Sequence, residues 1–125
     1  MKTDRKQIHK MFGGKCAYCG CILKDETGKN MHIDHIEPIR RNLYNTGCIF
    51  PELDNEHNLF PSCPRCNNYK GGMKLEHFRD FLKSTLQRLE KNNTNYRNAL
   101  RFGMIEEKQW DGKFYFEKYI PKNIN

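Results

Sequence analysis

Asn58-Leu59-Phe60-Pro61-Ser62-Cys63-Pro64-Arg65-Cys66-Asn67-Asn68-Tyr69-Lys70-Gly71-Gly72 joins a short apolar pair, a Cys-x-x-Cys motif and a glycine-terminated polar stretch. Leu59-Phe60 reads as a short strand that closes at Pro61. Pro64 suits the first turn of a helix, where its missing N–H is not needed, and Gly71-Gly72 suits the stop, so a helix is expected from Pro64 through Lys70. Cys63 and Cys66 therefore sit at the point where a strand hands over to a helix.

A matching knuckle lies upstream, Cys16-Ala17-Tyr18-Cys19, in a turn-like stretch that follows Gly13-Gly14. Two Cys-x-x-Cys pairs suit tetrahedral Zn²⁺, whose four-thiolate sites are closed to substrate and structural. A redox role for one pair would call for a thioredoxin-like βαβ setting, which the pattern lacks. Cys21 remains a possible substitute for Cys19, and Cys48 stands alone in a loop.

Between the knuckles, Met31-His32-Ile33-Asp34-His35-Ile36 alternates like a strand and stops at Pro38. Asp34 and His35 then lie at a strand end, from which side chains can reach a cleft. The carboxylate of Asp34 and the amide oxygen of Asn67 are hard donors suited to Mg²⁺ or Mn²⁺, with water and phosphate oxygens completing the shell. A neutral imidazole at His35 can take a proton from water, provided a partner fixes its other nitrogen; a backbone carbonyl could serve. Neighbouring strand residues face opposite ways, so a bend towards Pro38 is needed to bring Asp34 and His35 to one site.

Cys16-x-x-Cys19, Asp34-His35-Ile36-x-Pro38, Asn58-Leu59 and Cys63-x-x-Cys66-Asn67-x-x-Lys70 occur in an order that resembles the HNH nucleases, the zinc-bearing branch of the ββα-metal endonucleases. The resemblance spans about Cys16 to Gly71. It implies that His35 is the general base, that Asp34 and Asn67 hold one catalytic Mg²⁺ or Mn²⁺, and that Asn58 braces the loop between the two strands. It also implies that Lys70 meets a phosphate and that DNA is cut to leave 5′-phosphate and 3′-OH ends. Arg40, Arg41 and Arg65 flank these motifs and are candidates for gripping phosphates. His32 and His57 are the runner-up ligands or bases.

The fold expected from this resemblance is α+β: a small ββα-metal core with a four-Cys structural zinc site and a helical C-terminal extension. The boundary is drawn after Gly72, with residues 1–72 as the nuclease core and 73–125 as a mainly helical extension packed on the same domain. Upstream, residues 4–12 read as a helix capped by Thr3 or Asp4. Downstream, Leu75, Phe78, Leu82, Leu86 and Leu89 repeat at helical spacing, which predicts one helix over 74–91. A second helix is expected over 95–104, and the aromatic run 114–119 as a terminal strand or docking segment.

Composition narrows the function classes. Of the 125 residues, 37% are hydrophobic, which implies a lean core that a metal would help to hold. Twenty-two Lys and Arg against 15 Asp and Glu leave a net charge of +7, fitting a polyanion partner such as DNA. No apolar run approaches the roughly 20 residues that cross a bilayer, and the N-terminus lacks a signal-peptide stretch. A cytoplasmic protein with no membrane partner is expected. One such centre cuts one strand, so double-strand cleavage would call for a homodimer or two events. The competing class is a non-catalytic, zinc-containing module that only binds nucleic acid; it has no need of Asp34, His35, Asn67 and Lys70 together.

Overall fold

The structure is a computed structural model that describes residues 3–39, 47 and 50–121, leaving Arg40, Arg41 and Cys48 outside the described residues. Helix α1, Arg5–Lys10, is capped by Asp4, whose Oδ1 accepts from the backbone N–H groups of Lys6 and Gln7 at 3.0 and 3.3 Å. It is shorter than the expected 4–12 because the chain turns before Gly13 and Gly14, both at positive φ. The knuckle that follows is a tight loop closed by Cys16 N–H to Cys21 O at 2.9 Å and Gly20 N–H to Cys16 O at 3.0 Å. Gly20 has φ +78°, and a Cβ there would lie 2.7 Å from the Tyr115 ring, so only glycine fits.

Strands β1, His32–His35, and β2, Leu59–Ser62, pair antiparallel with His32 opposite Ser62 and His35 opposite Leu59. β2 runs through Pro61 instead of closing there. In a two-stranded ribbon both strands are edges, where a missing donor is tolerated. The carbonyl of Pro61 in turn accepts from Ala17 N–H at 2.9 Å and ties the knuckle to β2. Helix α2 is Pro64–Lys70, with the Cys63 thiol capping it and Gly71 at φ +54° ending it. These elements form the expected α+β arrangement, a β-hairpin followed by a helix lying against β1.

Beyond Gly72 the expected 74–91 helix is two helices, α3 at Leu75–Lys83 and α4 at Thr85–Asn92. Around Ser84 the hydroxyls turn back on the helix: Ser84 Oγ donates to Phe81 O at 2.9 Å and Thr85 Oγ1 to Leu82 O at 2.7 Å. Arg88 Nη2 adds a bond to Phe81 O at 2.6 Å. Competing donors at these carbonyls account for the break. Helix α5, Thr94–Arg101, is capped by Asn93.

Of the two expectations for the run 114–119, it is the docking segment and not a strand. It contains a short helix, α6, at Tyr115–Lys118, and its backbone docks on the knuckle through Tyr115 N–H to Tyr18 O at 3.0 Å and Phe116 N–H to Ala17 O at 2.8 Å. Phe114 and Phe116 join Phe12, Tyr18 and Phe60 in an aromatic cluster, with Phe60 and Phe116 centroids 4.7 Å apart. The chain accordingly groups into one unit of Met1–Leu75 with Phe114–Asn125 and another of Glu76–Lys113. That differs from a single boundary after Gly72, because the aromatic segment belongs with the hairpin unit. Among the described residues no helix is long and apolar enough to cross a membrane.

Candidate functional site

The thiols of Cys16, Cys19, Cys63 and Cys66 lie within 4.8 Å of one another. Zn–S bonds of about 2.3 Å put the sulfurs of a regular tetrahedron roughly 3.8 Å apart, and Cys19 Sγ and Cys63 Sγ are 3.9 Å apart. Backbone donors already face the sulfurs, with Tyr18 N–H to Cys16 Sγ at 3.4 Å and Cys66 N–H to Cys63 Sγ at 3.3 Å. Hydrogen bonds from Cys19 and Cys66 hold the Cys16 thiol far below its ordinary range, while those to Cys16 and Cys19 push Cys66 up. One thiolate forms readily while those of Cys19 and Cys66 are opposed, a conflict that a dication removes. The donor set and spacing fit Zn²⁺. Cys21 is outside the cluster, its thiol pushed up to about 12 chiefly by burial.

Strand alternation decides what meets α2. His32 and Asp34 leave the same face of β1, and Asn67 and Lys70, three residues apart on α2, face them. Asn67 Nδ2 donates to His32 Nδ1 at 3.0 Å, and Lys70 Nζ lies 3.1 Å from Asp34 Oδ2. Tyr18 Oη donates a very short hydrogen bond to the same Oδ2, and burial together with the Asp34 charge keeps that phenol protonated, far above its ordinary range. Both contacts use Oδ2, so Oδ1 of Asp34 and Oδ1 of Asn67 are the oxygens these bonds leave for a hard cation.

Lys70 corrects one expectation. Its side chain has 0% exposure, and the ammonium also donates to His35 O at 3.0 Å, so it is a strut between α2 and β1 instead of a phosphate grip. Arg65 is exposed on the first turn of α2, while Arg40 and Arg41 fall outside the described residues. His57 is solvent-facing, its ring 88% exposed and 3.8 Å from Glu56.

His35 leaves the opposite face of β1 from Asp34, since the strand continues regularly through both, so the expected bend does not bring the two to one face and they flank the end of the strand instead. Its Nε2 lies 3.0 Å from Asp54 Oδ1. The partner of the ring is thus a carboxylate and not a backbone carbonyl. A buried Asn58 ties the surrounding loop together: Oδ1 accepts from Glu37 N–H at 2.9 Å, and Nδ2 donates to Glu37 O at 2.8 Å and Leu53 O at 2.7 Å. Tyr18 and Asp54 are the site residues that sequence reasoning missed. Tyr18 carried a signal, its place between two zinc-type ligands; Asp54 carried none, being one acid in a polar loop.

Residues 16–72 match the HNH endonuclease family, so the chain carries an HNH domain. Septu protein PtuB of Bacillus thuringiensis is 41% identical over 63 residues, half of this chain and 21% of that protein. The chain thus matches about a fifth of that relative's length. No solved structure matches it significantly. The HNH match covers both knuckles, β1, β2 and α2, and ends at the glycines after α2.

Proposed function

We propose that this HNH domain is a metal-dependent DNA endonuclease, with His35 as general base and Asp34 and Asn67 holding a divalent cation. The observation that carries this reading is the ββα juxtaposition itself. α2 brings Asn67 against the face of β1 that bears Asp34, and the next residue, His35, ends the strand with its ring held by a carboxylate. Two oxygen donors suit Mg²⁺ or Mn²⁺, which are held by few protein ligands and keep much of their own hydration. When bound, such a cation polarises the scissile phosphate and offsets the charge that builds on the leaving oxygen.

The protein's residues do the rest. With Nε2–H given to Asp54, Nδ1 of a neutral His35 is the basic nitrogen and takes a proton from the attacking water. The new oxygen–phosphorus bond forms as the bond to the 3′ oxygen breaks, leaving a 5′-phosphate; the 3′ oxygen takes a proton from solvent. Lys70 and Tyr18 hold Asp34 still while this happens. The charge of +7 and the exposed Arg65 support a polyanionic substrate, and paired thiols suit a reducing, intracellular setting.

The test is nicking of supercoiled plasmid by zinc-loaded protein, with Mg²⁺ or Mn²⁺ added and then withheld. Relaxed circles only with the divalent cation, carrying 5′-phosphate ends, are expected. DNA that is bound but never cut would favour the nucleic-acid-binding module instead.

A further inference from the structure

We propose that Asp54 is a positioning residue for His35, fixing the proton of the ring on Nε2 and so leaving Nδ1 as the basic nitrogen; this rests on the nuclease reading above. The carboxylate can only accept, so the 3.0 Å contact between His35 Nε2 and Asp54 Oδ1 requires the ring to donate from Nε2. In the neutral ring the lone pair is then on Nδ1.

The surroundings of the pair are built for this contact. His35 ends β1 and Glu37 follows two residues later, while Leu53 immediately precedes Asp54. Asn58 bonds to both Glu37 and Leu53, so one buried amide clamps the backbone beside the base to the backbone beside its partner. Asn55, next to Asp54, holds the other side: Oδ1 accepts from His57 N–H at 2.9 Å and Nδ2 donates to Glu52 O at 2.8 Å. The side chains of His35 and Asp54 are 27% and 43% exposed, open enough for water and a phosphate to reach the ring. Removing the carboxylate therefore uncovers no core.

Two measurements on the zinc-loaded protein test the proposal. In ¹⁵N-histidine NMR without DNA, the neutral His35 ring should carry its proton on Nε2, protected from exchange. Asp54→Ala should lose that protection, and Asp54→Asn, whose amide oxygen still accepts, should keep it. A ring protonated on Nδ1, or one unchanged by Asp54→Ala, would overturn the proposal. In plasmid nicking, Asp54→Ala should lower kcat by about ten- to a hundred-fold with KM nearly constant, and Asp54→Asn should recover part of the loss. Wild-type kcat in Asp54→Ala would overturn the catalytic role. If the wild type cuts nothing while its Nε2 proton is held by Asp54, the nuclease reading fails and the ring contact is still supported.

Discussion

A lysine with no exposed side-chain surface is costly unless its charge is met, and Lys70 is met twice, by Asp34 Oδ2 at 3.1 Å and His35 O at 3.0 Å. Removing it leaves the buried Asp34 carboxylate held by the neutral Tyr18 hydroxyl and no longer by a cation, so Lys70→Ala should destabilise the zinc-loaded protein by about 3–5 kcal/mol. Urea unfolding measures this; an unchanged midpoint would contradict the strut. Replacing both members, Asp34→Leu with Lys70→Met, should recover much of the loss, because two apolar side chains leave no unpaired charge. At the same scale the sequence is only partly legible. Lys70 follows Asn67 by one helical turn, but its burial depends on where β1 lies, and Asp54, the partner of His35, is far from it in sequence.

Elements with local signals are legible and those set by tertiary contacts are not. Helix α2 has the expected ends because Pro64 and Gly71 fix them within the chain itself. The break between α3 and α4 is hidden from hydrophobic spacing, since the leucine stripe continues across it while hydroxyls and Arg88 bond to the carbonyls of Phe81 and Leu82. The 114–119 run is ambiguous for a related reason: its aromatic residues find their partners in Phe12, Tyr18 and Phe60, far upstream in the chain. Phe114 is 1% exposed, its ring 5.4 Å from that of Tyr18. Phe114→Ala should therefore cost about 3–5 kcal/mol, read as a lower thermal midpoint. A fragment ending at Lys113 should lose stability further, since the backbone bonds to Ala17 and Tyr18 go as well. A fragment as stable as the full chain would show that the segment is dispensable.

At the scale of the whole molecule, the four-Cys cluster, where Zn²⁺ would sit, ties the stability of the HNH domain to the proposed chemistry. The knuckle that carries Cys16 and Cys19 also carries Tyr18, which holds Asp34, and the helix opened by Cys63 and Cys66 carries Asn67. Metal analysis of purified protein should find about one Zn²⁺ per chain, and chelation should lower the unfolding midpoint and abolish nicking together. A well-folded, zinc-free protein with an unchanged midpoint would contradict that link. Single-turnover nicking in Mg²⁺, comparing wild type with His35→Ala at matched fold and zinc content, decides whether His35 is the base of a DNA-cutting centre. A loss of about a hundred-fold or more in rate is expected; equal rates would overturn the assignment.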